Sequence, residues 1–232
     1  MDKLRISEIF ESVQGEGIWA GIPSLFIRVS GCNLRCVWCD TPYASWTPEG
    51  DNYDISALLE ISGNSSLNHV VLTGGEPMLF DAIEVLVAGL KQQGKTITME
   101  TAGTVYREMD VDLMSISPKL TNSDPLGKID EGWVKRHVET RSNLRPLVKL
   151  VSRYNTQLKF VVAEPEQDIP EIEALLAEIG EVDPNRVLLM PEGRDSDQLW
   201  KSMRALVPIA MERNWRVCPR LQIDLFGDTR GT

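Results

Sequence analysis

The chain has 232 residues, of which 42% are hydrophobic and 25% charged; that is enough apolar content for a packed core and a length that suits one large domain or two small ones. Its 24 Lys and Arg against 34 Asp and Glu leave a formal charge of -10, which repels nucleic acid and anionic membranes and excludes a role in coating either. The start, MDKLRISEIF, lacks the charged-then-apolar pattern of an export signal, and no apolar run approaches a membrane span, so a reducing cytoplasm is the expected compartment.

In chain order, β-rich runs alternate with amphipathic stretches. A strand is predicted at 24–29, a helix at 55–61, a strand at 69–72, a helix at 82–92, and strands at 96–100, 113–117 and 157–162. A helix at 170–179, a strand at 186–190, a helix at 198–213 and a last strand at 215–223 follow. The apolar positions of IPEIEALLAEIG recur at three- and four-residue spacing, as a helix packed on a sheet requires. Asp168 and Asp195 stand where helix N-caps are needed. The stretches 41–53 (TPYASWTPEGDNY) and 121–128 (TNSDPLGK) read as loops. Alternation of this kind implies βαβ crossovers and a mainly parallel sheet, an α/β fold. No linker, repeat or low-complexity segment divides the chain, so residues 1–232 read as a single domain.

Three of the four cysteines fall within GCNLRCVWCD, as Cys32, Cys36 and Cys39 in C-x3-C-x2-C spacing; the fourth is distant, at Cys218. Three clustered thiols cannot all pair with each other and one remote partner, and a reducing compartment disfavours disulfides. Three thiolates on one loop can instead hold three corners of a cubane iron–sulfur cluster and leave the fourth iron open to a substrate atom, whereas electron-transfer clusters are closed by four cysteines. A structural zinc site closed by Cys218 is the alternative, but zinc sites favour paired C-x2-C ligands.

Thr73-Gly74-Gly75-Glu76-Pro77 follows directly on the apolar run HVVL. Two glycines at a strand's carboxyl end let a ligand approach the backbone and leave amides free to bind it, and Glu76 suits an ammonium group. Alone, this is also what a plain strand-to-helix turn looks like. Beside a three-cysteine loop it points to a zwitterionic amino acid bound at a cluster.

The pairing resembles the radical S-adenosylmethionine superfamily, and within it the 7-carboxy-7-deazaguanine synthase family. The likeness covers nearly the whole chain and is carried in order by EIFESVQGEGIWAGIPSLFIRVSGCNLRCVWCDT, VVLTGGEP, METAG and ISPK. It implies an incomplete β/α barrel of about six parallel strands with a cluster-binding loop, the site lying at the strands' carboxyl ends. It implies a 4Fe-4S cluster on Cys32, Cys36 and Cys39, and S-adenosylmethionine near Trp38, Asp40, Gly75, Glu76, Ser117, Lys119, Gln157 and Lys159. It places a pterin substrate on Val13, Gln14, Gly15, Glu16, Arg28 and Thr73, and a magnesium ion at Thr41, with no catalytic residue beyond the cluster and cofactor. The implied reaction converts 6-carboxy-5,6,7,8-tetrahydropterin to 7-carboxy-7-deazaguanine with loss of ammonia. A homodimer and an electron donor such as flavodoxin or ferredoxin are implied partners. Glycyl-radical activases share the cysteine spacing but act on a protein, for which the 41–53 loop would be the docking face. A zinc-binding or electron-carrier module leaves TGGEP unexplained.

Each assignment has a structural counterpart. Arg28, in SLFIRV, reads as a strand residue snorkelling to the surface or as a cation awaiting an anion, and a lone Arg in an apolar strand favours the second. Gln14 to Gly17 suit either a glycine turn or the edge of a pterin ring. Trp46, Trp133, Trp200 and Trp215 read as packing residues, His69 and His137 as histidines without a partner, and Cys218 as a small buried hydrophobe in the last strand. The family resemblance leads one to expect a histidine where Gln222 stands, so no substrate contact is assigned there.

Overall fold

Residues 3–232 are described by the structure, a computed structural model. Its strands are β1 (Lys3–Val13), β2 (Pro23–Val29), β3 (Asp51–Asp54), β4 (His69–Gly74), β5 (Thr96–Thr101), β6 (Leu113–Ile116), β7 (Thr156–Val162), β8 (Val187–Pro191) and β9 (Arg216–Val217). They form one sheet in the order β3-β1-β2-β4-β5-β6-β7-β8-β9. Every pair from β2 to β9 is parallel, while β1 runs antiparallel to both β2 and β3. The sheet curls without its ends pairing, so the barrel is incomplete, with six full parallel strands and a two-residue seventh.

Central strands such as HVVLTG and TQLKFVV are buried along nearly their whole length, because the barrel interior covers one face and helices the other. The helices are α1 (Pro42–Ser45), α2 (Ile55–Asn64), α3 (Ala82–Gln92), α4 (Glu131–Arg141), α5 (Arg145–Arg153), α6 (Pro165–Ile179), α7 (Ser196–Arg213) and α8 (Leu221–Phe226). In α3, Ile83, Leu86, Val87 and Leu90 form the buried stripe; in α7, Leu199, Met203, Leu206 and Ala210 do. The α3 stripe, with Leu206 and Ala210 of α7, joins Ile27, Leu72, Met99 and Phe160 in one continuous core. Each buried Leu, Ile or Phe contributes on the order of 1.5–3 kcal/mol, which leaves the strands' carboxyl ends free to carry polar groups. Among the described residues no helix is long and apolar enough to cross a membrane.

The predicted elements from 24 to 213 are all present, within a few residues, and the differences have local causes. Helix α6 starts at Pro165, not at 170, so Pro165 rather than Pro170 holds the first turn. Asp168 caps it from inside, reaching back to the N–H groups of Ala163 and Glu164. Asp195 is the N-cap of α7 and accepts from Gln198 N–H. The 41–53 stretch is not a bare loop: it holds α1 and leads into β3. The strand expected at 215–223 is wrong. Its alternating apolar pattern reads as β, but Pro219 has no N–H for the ladder; pairing stops at Val217, and the segment turns into α8. Cys218 therefore lies just beyond the last strand. Strands β1 and β3 escape prediction because both are half-exposed and lack a clean period, and α5 escapes because it is short.

Candidate active site

At the carboxyl ends of the parallel strands lies a cavity of about 450 Å³, a size common for small-molecule sites. Strand register builds its polar floor. Arg28 of β2 stands beside Thr73 of β4, Glu100 of β5 beside Ser115 of β6, and Ser115 beside Gln157 of β7. Hydrogen bonds knit this tier together: Thr73 Oγ1 donates to Glu100 Oε2 at 2.8 Å and Gln157 Nε2 to Ser115 Oγ at 2.7 Å. Gln14, reaching in from the end of β1, donates to Glu100 Oε1 at 3.1 Å.

The cysteine loop forms one wall. Cys32, Cys36 and Cys39 are free thiols, and all three line the cavity. The loop is fastened from outside. His137 Nδ1 accepts from Arg35 N–H at 3.0 Å, Trp46 Nε1 donates to Cys36 O at 3.1 Å, and Arg194 donates to Cys39 O. Burial pushes the thiols of Cys32 and Cys36 up to about 12, so they become thiolates only when a cation replaces their protons. Among the described residues no three Cys, His, Asp or Glu side chains converge on one point, as a single zinc ion requires. In a cubane each cysteine binds a separate iron, so three spaced thiols on one wall suit a cluster with an open fourth corner.

The TGGEP turn differs from its reading in sequence. Gly75 N–H donates to Val29 O at 3.0 Å and Glu76 N–H to Gly31 O at 2.9 Å, so neither amide is free. A Cβ on Gly75 would lie 2.2 Å from Gly31 O; glycine is required by this close approach to the cysteine loop. Glu76 does not line the cavity. Its fully buried carboxylate accepts from Thr101 Oγ1, Ala102 N–H at 2.8 Å and Met78 N–H at 3.1 Å, stapling this turn to the one after β5. Burial raises its pKa, and the donors work against that shift.

The wall opposite closes the gap in the barrel. The loop after β1 crosses to the chain's last segment: Leu221 N–H donates to Gly15 O at 2.9 Å and Gly17 N–H to Cys218 Sγ at 3.1 Å. At the centre, Glu16 accepts from Lys159, from Arg220 Nε at 3.1 Å and from Gln222 Nε2 at 2.8 Å. Burial by itself would raise the Glu16 pKa, but Lys159 and Arg220 together hold it well below the usual carboxylate range, and Lys159 is raised in turn by Glu16. Gly17 has φ of +83°, and Gln157 Nε2 sits where its Cβ would be. That glutamine's Oε1 accepts from Ile18 N–H at 2.8 Å, so both ends of Gln157 are engaged and it lies behind the cavity wall.

Apart from Glu76 and Gln157, every site residue named from sequence lines the cavity: Cys32, Cys36, Trp38, Cys39, Asp40, Thr41, Gly75, Ser117, Lys119 and Lys159, together with Val13, Gln14, Gly15, Glu16, Arg28 and Thr73. Arg28 is not the lone cation it appears to be. Its Nε donates to Glu8 Oε2 at 2.7 Å, and Glu8 also accepts from Tyr43 Oη and Arg230. Glu100, Ser115, Arg194 and Arg220 line the cavity without having been singled out, although METAG carried Glu100 in plain sight; Gln222, to which the sequence assigned no contact, lines it too. Both histidines have partners. His69 sits between Ser24 Oγ and Thr98 Oγ1, and His137 between Arg35 N–H and Ser123 Oγ; neither faces the cavity. Burial lowers the His137 pKa to about 4, so it is neutral at pH 7 with its proton on Nε2, opposite the Arg35 amide. Trp200 is 43% exposed, a surface residue tied to Asp224 rather than a packing one. Cys218 is buried as expected, but it also works as a hydrogen-bond acceptor.

The model of the Radical SAM superfamily matches residues 26–152, and membership of that superfamily implies an iron–sulfur cluster and S-adenosylmethionine. A 7-carboxy-7-deazaguanine synthase from Rhodopirellula baltica is 45% identical over 99% of this chain and 89% of its own length. Another from Halobacterium salinarum is 43% identical over 99% of this chain and 93% of its own. QueE from Escherichia coli, a solved structure, matches with a TM-score of 0.67 at 25% identity, covering 93% of each chain. Identity of this extent along nearly the full length of both chains makes this protein a member of the 7-carboxy-7-deazaguanine synthase family of radical S-adenosylmethionine enzymes.

Proposed function

We propose that the chain contracts the ring of 6-carboxy-5,6,7,8-tetrahydropterin to 7-carboxy-7-deazaguanine with loss of ammonia. The observation that carries this reading is the meeting, in one cavity, of a three-thiol wall with a tier of hydrogen-bonding side chains matched to a flat, polar, carboxylated ring. When bound, the cluster and S-adenosylmethionine supply the electron and the 5′-deoxyadenosyl radical that takes hydrogen from the substrate. The chain's own residues hold, orient and shield. Cys32, Cys36 and Cys39 hold the cluster, while Trp38, Asp40, Gly75, Ser117 and Lys119 border the cofactor. Lys119 Nζ lies 5.4 Å from the Trp38 ring centre and donates to Ser117 Oγ. Arg28 takes the substrate carboxylate in place of part of its contact with Glu8. Gln14, Glu16, Thr73 and Glu100 offer donors and acceptors to the ring's amide and amine edge. The test is anaerobic incubation of reconstituted protein with reductant, S-adenosylmethionine and the carboxytetrahydropterin. Formation of 7-carboxy-7-deazaguanine supports the reading; S-adenosylmethionine cleavage with the pterin left intact overturns it and favours a protein substrate, as in the activases.

A magnesium ion at Thr41, bridging to the substrate carboxylate, belongs to the same reading. Thr41 occupies the N-cap of α1 but its side chain makes no capping bond; its hydroxyl lies on the cavity wall, with Cys39 Sγ at 3.8 Å as its one side-chain partner. Magnesium takes hard oxygen ligands and part of its shell from substrate, and here it would orient and neutralise the carboxylate. Turnover of the wild type should rise with added magnesium, and Thr41→Ala should lose that rise while keeping its cluster absorbance. An identical response in both removes Thr41 from the metal. A homodimer and a flavodoxin or ferredoxin donor complete the proposal; sedimentation of the purified protein and reduction by each donor test them.

A further inference from the structure

Arg220 stands just before α8 and is 7% exposed, yet its guanidinium is committed in three directions. Its Nε donates to Glu16 Oε1 at 3.1 Å, one Nη donates to the Asp40 carboxylate, and the other to the carbonyl of Gly193. These three partners come from separate parts of the fold. Glu16 lies in the loop between β1 and β2, on the substrate side; Asp40 directly follows the cluster cysteine Cys39; Gly193 lies in the loop after β8. On the other oxygen of Glu16 sits Lys159, and Gln222 shares the first, while Arg194 fixes the Cys39 carbonyl next to Asp40.

We propose that Arg220 is a positioning residue that couples occupation of the substrate half of the cavity to occupation of the cofactor half, through Glu16 and Asp40. This rests on the functional reading above. A guanidinium is a rigid planar fork: with one prong pinned on a backbone carbonyl, reorienting one carboxylate reorients the site offered to the other. Substrate hydrogen-bonded to Glu16 fixes that carboxylate, and through the fork it fixes Asp40 before S-adenosylmethionine arrives. The cofactor then has less to order and binds more tightly, and by linkage it tightens the pterin by the same factor. A lysine, with a single compact charge on a flexible stem, can satisfy Glu16 or Asp40 but cannot transmit orientation between them.

The experiment measures dissociation constants by anaerobic calorimetry on cluster-loaded protein, for S-adenosylmethionine with and without the carboxytetrahydropterin, and for the pterin with and without S-adenosylmethionine. Wild type should show at least about fivefold mutual tightening, the low end of typical coupling between sites. Arg220→Lys and Asp40→Asn should bring both ratios below about twofold, with cluster absorbance per chain unchanged. Asp40→Asn takes the charge from only one prong, at a side chain 45% exposed, so it keeps the test alive if the Arg220 variant fails to fold. A merely structural Arg220 would weaken both ligands and leave the ratios intact. Ratios as large as wild type in either folded variant, or no coupling in the wild type, overturn the proposal. Failure of the functional reading looks different: the wild type then binds no pterin at all.

Discussion

The two walls of the cavity are held by different forces. On the cluster side, the fastening contacts run to or from backbone groups: Arg35 N–H to His137, Trp46 to the Cys36 carbonyl, Gly75 N–H to the Val29 carbonyl, and the guanidiniums of Arg35 and Arg194 to the carbonyls of Cys32 and Cys39. On the seam that closes the barrel, a buried carboxylate, an ammonium, a guanidinium and an amide share one network around Glu16. The difference follows from what each wall lacks. The cluster wall grows out of paired strands, so backbone groups are at hand to fix the loop. At the seam no strand pairing exists, since the sheet's edges, β3 and β9, do not meet, and side chains must bridge the gap. Charged groups serve there because ion pairs hold across a gap that backbone ladders cannot span, at the cost of a heavy penalty if one member is lost.

Removing a cluster-side thiol should have the largest effect and cleanly separate the two walls. Cys36→Ala should abolish cluster assembly and turnover, with little change in folding of the cluster-free protein, because the loop is fastened by groups other than the thiol. Iron content and visible absorbance after anaerobic reconstitution measure the first, thermal unfolding the second. Retained cluster in Cys36→Ala would take that residue off the ligand set.

The seam should answer in the opposite sense, through stability. Glu16→Ala leaves Lys159 and Arg220 buried without their shared counter-charge, a change that costs about 3–5 kcal/mol and on the order of 10 °C in Tm. The pH dependence has a definite sign. Glu16 is held below its ordinary value of 4.5, so it contributes stability that is present above that value and is lost as pH falls beneath it. Denaturant unfolding from pH 6 down to about 2 should therefore show a steeper loss below about pH 4.5 for wild type than for Glu16→Gln. Parallel curves would mean that the Glu16 charge does not hold the seam.

The same contrast explains what could be read from the sequence. The cysteine loop, TGGEP and the parallel strands between 24 and 190 are legible because local motifs and continuous apolar runs report burial directly. The roles of individual side chains were less so. TGGEP shows that Glu76 stands at a strand's end, but whether its carboxylate faces the cavity depends on donors supplied by Thr101 and Ala102, a turn away on another strand. Arg28 looked unpaired because Glu8, its partner, sits in a half-exposed antiparallel strand that the alternation pattern does not reveal. Nothing near Glu16 in the chain announces Arg220, which lies 204 positions away. Pairings of that span exist only once the barrel has curled. The Pro219 break that puts Arg220 and Gln222 at the start of α8 instead of in a strand is visible, but the alternating apolar pattern of 215–223 outweighs it.

Arg28 sharpens the comparison, since it stands on the floor between the two walls. Arg28→Ala should lower kcat/KM for the pterin by at least about tenfold, the loss expected of one charge-assisted hydrogen bond, with S-adenosylmethionine cleavage in the absence of substrate unchanged. Stability should hardly move, because Glu8 keeps Tyr43 and Arg230 as partners. Unchanged kinetics with a lower Tm would make the Arg28–Glu8 pair a strut between β1 and β2.

Cys218 should give the smallest effect, and its direction decides whether the fourth cysteine belongs to the seam or to the metal. It is fully buried, and burial pushes its thiol up to about 11, so at neutral pH it is a neutral S–H group. It packs against Val161, Leu188 and Met190, and its sulfur accepts the N–H of Gly17. Cys218→Ala removes the acceptor and one buried sulfur while leaving Lys159, Arg220 and Gln222 on Glu16. The cost should be about 1–2 kcal/mol, the price of an unsatisfied donor, and a few degrees in Tm, well short of the Glu16→Ala loss. Iron content, cluster absorbance and 5′-deoxyadenosine formation should match wild type, because Cys218 does not line the cavity in which Cys32, Cys36 and Cys39 stand. If Cys218→Ala instead lost iron while its Tm held, the fourth cysteine would be a cluster ligand, the open corner would vanish, and the division between a metal wall and an ionic seam would have to be redrawn.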